Sequence, residues 1–144
     1  MRRPMPNLMV ASAREIASCG RWADDIFDCT PEGVDHPHRD KVLHLPPTGG
    51  NSHKWSPEDL DVIVELAEGC LDKNRRVIIH CGRGVSRSTC AAAAVLLHRG
   101  VTSDVDDAVA RARNPERQPV ATALASLRSW WVGRESNRRQ GTLC

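Results

Sequence analysis

Residues 75–100 read Arg75-Arg76-Val77-Ile78-Ile79-His80-Cys81-Gly82-Arg83-Gly84-Val85-Ser86-Arg87-Ser88-Thr89-Cys90-Ala91-Ala92-Ala93-Ala94-Val95-Leu96-Leu97-His98-Arg99-Gly100. The β-branched triplet Val77-Ile78-Ile79, with charge before it and glycine after it, has the pattern of a buried central strand, expected over Arg76–His80. Arg87–Arg99 is rich in alanine and leucine and stops at Gly100, a helix with a glycine C-terminal cap. The loop between them is short and holds two glycines. Glycines let successive backbone N–H groups turn toward one centre, and a helix N-terminus adds its unpaired donors and positive dipole end. An anion fits such a nest. A cysteine placed there, Cys81, is expected to ionise more readily than a free thiol, and Arg87 is able to grip two phosphate oxygens with its planar fork.

Three further apolar runs read as strands: Leu8–Ala11, Asp24–Cys29 and Lys41–Leu45. Leu60, Ile63, Val64, Ala67 and Leu71 form one helical stripe, with Ser56 as N-cap, Pro57 at the first position and Asp59 three residues past the cap. A helix opening at Ser103 and ending before Asn114-Pro115, and a last one from about Pro119 to Gly133, complete the pattern. Strand–helix alternation followed by helices predicts an α/β fold: a central, mostly parallel sheet of four to five strands flanked by helices. Ligands of such sheets bind beyond the carboxyl ends of the strands, which is where residues 80–88 stand. The expected organisation is a single domain over 1–133 and a polar, flexible tail over 134–144.

The chain has 144 residues, 40% hydrophobic and 26% charged, an ordinary globular balance. Its longest uncharged apolar run, Cys90–Leu97, is far short of the ~20 residues of a membrane span. The start, Met1-Arg2-Arg3-Pro4, makes a poor signal peptide, so the six scattered cysteines are expected to be reduced thiols of a cytoplasmic protein. Residues 1–72 carry a net charge of −6 and residues 73–144 of +8, almost all of the latter from arginine. That bias suits anionic substrates or nucleic acid, although most such arginines sit solvated on helix faces. His36-Pro37-His38 with His44 or Cys29 is a weak metal constellation, and no metal or cofactor is expected. Trp131 continues the apolar stripe of the last helix and is expected in the core, as is Cys90.

His80 to Ser88 resembles the signature HCxxGxxR[ST] of the protein tyrosine phosphatase superfamily, and in the form HCxxGxSRS most resembles its dual-specificity branch. The resemblance extends more weakly over residues 8–131. It implies a cysteine-dependent protein phosphatase acting on phosphorylated protein or peptide. Cys81 would be the nucleophile that forms a thiophosphoryl intermediate, and Arg87 and the backbone of Gly82, Arg83, Gly84, Val85 and Ser86 would hold the phosphate oxygens. Ser88 would hydrogen-bond the departing thiolate, and His80 would support the loop from behind. Arg83 stands where the family varies.

One part of the family pattern is missing. Its general acid is an aspartate on the loop after the strand resembling Lys41–Leu45, yet no carboxylate lies between Asp40 and Glu58, and Thr48 or Gly50 stands at the matching place. Asp59, His53 and Asp40 are the substitutes, with no protein acid as the remaining choice. Asp59 also suits a capping box, and His53 titrates near neutrality in a Gly/Pro/Ser-rich stretch. Three rivals follow: a phosphate-recognition module or nearly inactive phosphatase, an RNA 5′-phosphatase using the arginine-rich half, and a sulfur transferase of the rhodanese kind.

Overall fold

The computed structural model describes residues 2–33, 37–50, 53–82, 86–115 and 117–139. In chain order its elements are strands β1 (Arg2–Met5) and β2 (Leu8–Ser12), a one-turn helix α1 (Ile16–Cys19), strands β3 (Asp25–Asp28) and β4 (Val42–His44), helix α2 (Pro57–Asp72), strand β5 (Val77–Cys81), and helices α3 (Arg87–Arg99), α4 (Val105–Ala112) and α5 (Ala121–Arg139). The sheet order is β1-β2-β5-β3-β4, with β1 antiparallel to β2 and every other pair parallel. The expected mixed sheet is therefore present, in its five-stranded form. β5 sits at its centre, buried at every position from Val77 to Cys81.

Because side chains alternate across a strand, β5 divides its residues between two cores. Val77, Ile79 and Cys81 face the side covered by α2 to α5, together with Leu60, Ile63, Leu96 and Leu127. Ile78 faces a smaller cluster with Met9, Ile16, Cys19 and Ile26 under α1. The parity puts Cys81 on the α3 side of the sheet and His80 on the opposite side, next to its register partner Asp28 on β3. Alternation alone thus separates the two residues of the His-Cys pair.

Local signals account for most boundaries. Ser56 caps α2 in a reciprocal box: its hydroxyl accepts from Asp59 N–H, and the Asp59 carboxylate accepts from Ser56 N–H, both at 3.1 Å. Gly100 ends α3 at φ 75°, the left-handed conformation that a side chain would strain. Three expectations need correction. The cap of α4 is Asp104, whose carboxylate accepts from Asp106 N–H, rather than Ser103. α5 does not close at Gly133 but runs on to Arg139, so residues 134–139 of the expected tail are helical, and residues 140–144 lie outside the described residues. Arg134 explains part of that extension: it bridges to Asp61 on α2 at 3.1 Å and stacks on Trp130. The edge strand β1, upstream of the first expected run, is the remaining addition. Trp130 joins Trp131 in the core and donates its indole N–H to Asp61 at 2.9 Å.

The charge asymmetry between the halves is partly folded up. Arg75 pairs with Asp25, Arg99 with Glu68 and Asp72, and Arg134 with Asp61, so bases of the second half meet acids of the first. Arg111 and Arg128 pair with Asp107 and Asp106 on α4. Among the described residues no helix is long and apolar enough to cross a membrane.

Candidate active site

β5 ends on Cys81 and α3 begins at Arg87, so five residues turn the chain from the centre of the sheet into a helix N-terminus. The strand is anchored beyond its ladder, since Ala13 N–H donates to Cys81 O at 2.9 Å and Cys29 N–H to His80 O at 2.8 Å. Cys81 is almost wholly buried, and its Sγ lies 3.2 Å from Ser88 Oγ in the first turn of α3. Cys81, Gly82, Ser86 and Arg87 line one cavity of about 760 Å³. Among the described residues Arg87 Nε is buried without a hydrogen-bond partner, an orphan donor beside that cavity. Arg83, Gly84 and Val85, also expected in the cradle, lie outside the described residues.

Behind the loop, His80 is fully buried with its Nε2 3.8 Å from the carboxylate of Asp28. Asp28 is in turn held by Thr30, which donates its N–H at 2.9 Å and its hydroxyl at 2.6 Å. His44 contacts Thr30 O at 2.5 Å. His80 therefore belongs to a polar layer under the loop, on the face away from the thiol. Asp28 and Thr30 were missed by the sequence reading because only the β3–β5 register brings them there.

The sulfur has two buried neighbours of its own kind. Cys29 follows β3 beside Cys81, and Cys90 lies two residues past Ser88 in α3. Burial, reinforced by negative charge at Cys81, pushes the Cys29 thiol well above its ordinary range and the Cys90 thiol up to about 12. Both stay protonated at neutral pH.

The substitutes for the missing acid separate cleanly. Gly49 and Gly50 build a tight hairpin: Gly49 N–H donates to Lys54 O at 2.8 Å, and a Cβ on Gly49 would press into that carbonyl. Gly50 adopts φ 117°. The hairpin delivers His53 to the wall of the Cys81 cavity. Burial and the Arg87 charge lower the His53 pKa from its ordinary 6.5. Asp59 is not brought there. It lines a separate groove with Trp55 and Ile63. Its carboxylate already accepts from Ser56 N–H, from Thr48 N–H at 2.7 Å and from the Thr48 hydroxyl at 2.8 Å. Asp40 lies in the turn leading into β4, at the opposite end of the parallel strands from Cys81. The buried hydroxyl of Ser86 reaches out of the loop and accepts from Val120 N–H at 2.8 Å, tying the entry of α5 to the loop. Arg117, Gln118 and Val120 also line the cavity, and the sequence carried no signal for them.

Of the weak metal constellation, His36 lies outside the described residues and His44 is committed to Thr30. Among the described residues no three His, Cys, Asp or Glu side chains stand close enough to hold a metal ion.

The arrangement just described has known counterparts. The sequence model of the cyclin-dependent kinase inhibitor 3 family matches residues 41–109, from the turn before β4 into α4, a span that contains the whole loop. That match covers just under half of the chain, and the chain as a whole has the α/β fold of the dual-specificity-like protein tyrosine phosphatases. Solved structures agree in fold. Human DUSP28 superposes with a TM-score of 0.78 at 15% identity, over 94% of this chain and 99% of that one. A mouse putative dual specificity phosphatase complexed with zinc tungstate gives 0.78 at 19%, over 94% and 89%. Tk-PTP in its active form gives 0.73 at 17%, over 91% and 95%. No curated protein matches the chain by sequence.

Proposed function

We propose that the chain is a cysteine-dependent phosphatase that hydrolyses aryl phosphate monoesters on phosphorylated protein or peptide, with no cofactor. The observation that carries this reading is the placement of Cys81 Sγ beside Ser88 Oγ at the head of α3, facing a cavity shared with Arg87 and His53. Cys81 attacks phosphorus in line as the thiolate. The S–P bond forms as the P–O bond to the leaving group breaks, and the oxygen departs with the electron pair of that bond. Arg87 and the N–H groups at the start of α3 hold the equatorial oxygens, where charge spreads in the transition state. Water then attacks phosphorus, the S–P bond breaks, and the Ser88 hydroxyl stabilises the thiolate that leaves.

His53 is the proposed proton donor to the leaving oxygen. In the free enzyme it is largely neutral at pH 7, because burial and Arg87 depress its pKa. A phosphate dianion bound beside Arg87 cancels the second cause and raises it, so substrate itself recruits the acid. The neutral imidazole left after the first step is placed to take a proton from water in the second.

Aryl phosphate turnover followed by free phosphate release tests the reading. Cys81→Ser lowers kcat by at least ~10³-fold if it holds, and acid quenching of the native enzyme traps phosphate on Cys81. Turnover that survives Cys81→Ser overturns it. A second reading, a phosphate-recognition module, draws support from Thr48 standing where the family has its acid while Asp59 is locked beneath it. Tight phosphopeptide binding by the native chain without turnover would establish that reading instead.

A further inference from the structure

Part of the cavity wall is supplied by the segment joining α4 to α5. Arg113 clamps that segment from within, donating from one guanidinium nitrogen to the carbonyls of Asn114, Pro115 and Arg117 at 3.3, 3.0 and 3.1 Å. Arg117 N–H closes a turn onto Asn114 O at 3.0 Å, and the Val120 N–H bond to Ser86 Oγ fixes the far end to the loop. A cation is thus presented at the cavity wall by a braced backbone. Unlike Arg75, Arg99, Arg111, Arg128 and Arg134, which pair with carboxylates, the exposed guanidinium of Arg117 has no hydrogen bond or ion pair among the described residues.

We infer that Arg117, with the Gln118 amide beside it, is a specificity-determining subsite for an acidic peptide flank next to the phosphorylated residue. This rests on the phosphatase reading and deepens it. The cavity is several times larger than one phosphate needs, given ~30 Å³ for a water molecule in the liquid, so substrate reaches past the cradle. A planar guanidinium suits a carboxylate in bidentate geometry. The described lining exposes a single aliphatic side chain, Val120, and no phenyl or indole ring, which favours a peptide in water over a lipid surface.

The test compares two phosphotyrosine peptides, one flanked by Asp and Glu and one by Ser and Gln. The native enzyme prefers the acidic peptide, mostly through KM, and Arg117→Ala lowers that preference in kcat/KM about tenfold while Arg117→Lys retains part of it. Raising ionic strength erodes the native preference in the same direction. An unchanged preference in Arg117→Ala overturns the inference. So does a larger effect of Arg117→Ala on phosphoinositide in vesicles than on the acidic peptide. If neither peptide is turned over, the phosphatase reading fails. The subsite is then judged by calorimetry with Cys81→Ser: tighter binding of the acidic peptide, lost in the double variant with Arg117→Ala, supports it, and equal binding of the two peptides overturns it.

Discussion

The two loops that meet at the cavity are built by opposite means. The loop from β5 to α3 is held by the sheet beneath it and the helix beyond it, and its chemistry comes from residues in fixed order: Cys81, Arg87, Ser88. The loop from β4 to α2 is held by one carboxylate, Asp59, and supplies its only titratable group to the cavity, His53, from a hairpin that two glycines allow. On the proposed reading the first loop is an anion cradle with a nucleophile in it. The second has spent its nearest carboxylate on structure. If the proposed function holds, phosphate capture and proton delivery are separable, and substitutions in the two loops should fail in different ways.

The largest effect is expected in the cradle. Arg87→Lys keeps the charge but loses the fork that spans two oxygens, and kcat for aryl phosphates should fall by ~10²–10³-fold, the range for one transition-state donor. A loss of only a few-fold would mean that the backbone alone carries the charge.

His53→Gln should act on leaving groups rather than on capture. With a good aryl leaving group the oxygen departs without help, so the loss should be a few-fold, rising to ~10–100-fold for alkyl phosphates. Because the His53 pKa is lowered by burial and then by Arg87, its acid form disappears as pH rises through a value below 6.5. The native kcat/KM for alkyl phosphates should therefore fall over that interval, while kcat, which reports the substrate-bound enzyme, holds to higher pH. His53→Gln should remove this limb. Identical pH profiles in the variant would transfer the acid role elsewhere.

How far the sequence could be read follows the same division. The loop from β5 to α3 was legible because its demands are local: a β-branched strand, glycines, a helix start and a thiol must follow one another in the chain. Capping worked for the same reason at Ser56–Asp59 and Gly100. What escaped depends on pieces distant in sequence. Asp28 reaches His80 through strand register, Ser86 reaches Val120 across 34 residues, and Arg117 reaches the cavity because Arg113 braces the backbone behind it. The continuation of α5 past Gly133 is similar, since Arg134 finds Asp61 73 residues away. His53 and Asp59 were equal candidates in one dimension and were separated only when the hairpin turned one toward the cavity and the cap held the other.

Asp59→Ala should then be a stability variant. It removes a capping box and both bonds to Thr48, a loss of ~1–2 kcal/mol by the usual worth of a cap, seen as a lower Tm. Aryl phosphate turnover below the new Tm should change little more than the loosened hairpin requires. A loss of activity as large as that of Cys81→Ser, with an unchanged Tm, would return Asp59 to the chemistry.

Restoring the family's acid gives the smallest and most diagnostic effect. Thr48→Asp places a carboxylate where the hydroxyl now donates to Asp59, so two acceptors face each other with no proton between them. The expected result is a destabilisation of ~0.5–1 kcal/mol from the lost hydrogen bond and like-charge contact, with no gain on alkyl phosphates. Adding Asp59→Asn supplies an amide donor and removes the repulsion. The double variant should recover the Tm and, with the new carboxylate free to turn toward the cavity, exceed the native rate on alkyl phosphates. A rate gain in Thr48→Asp alone would show that the second loop is not bound by its anchor, and that the contrast between the two loops is one of composition rather than of architecture.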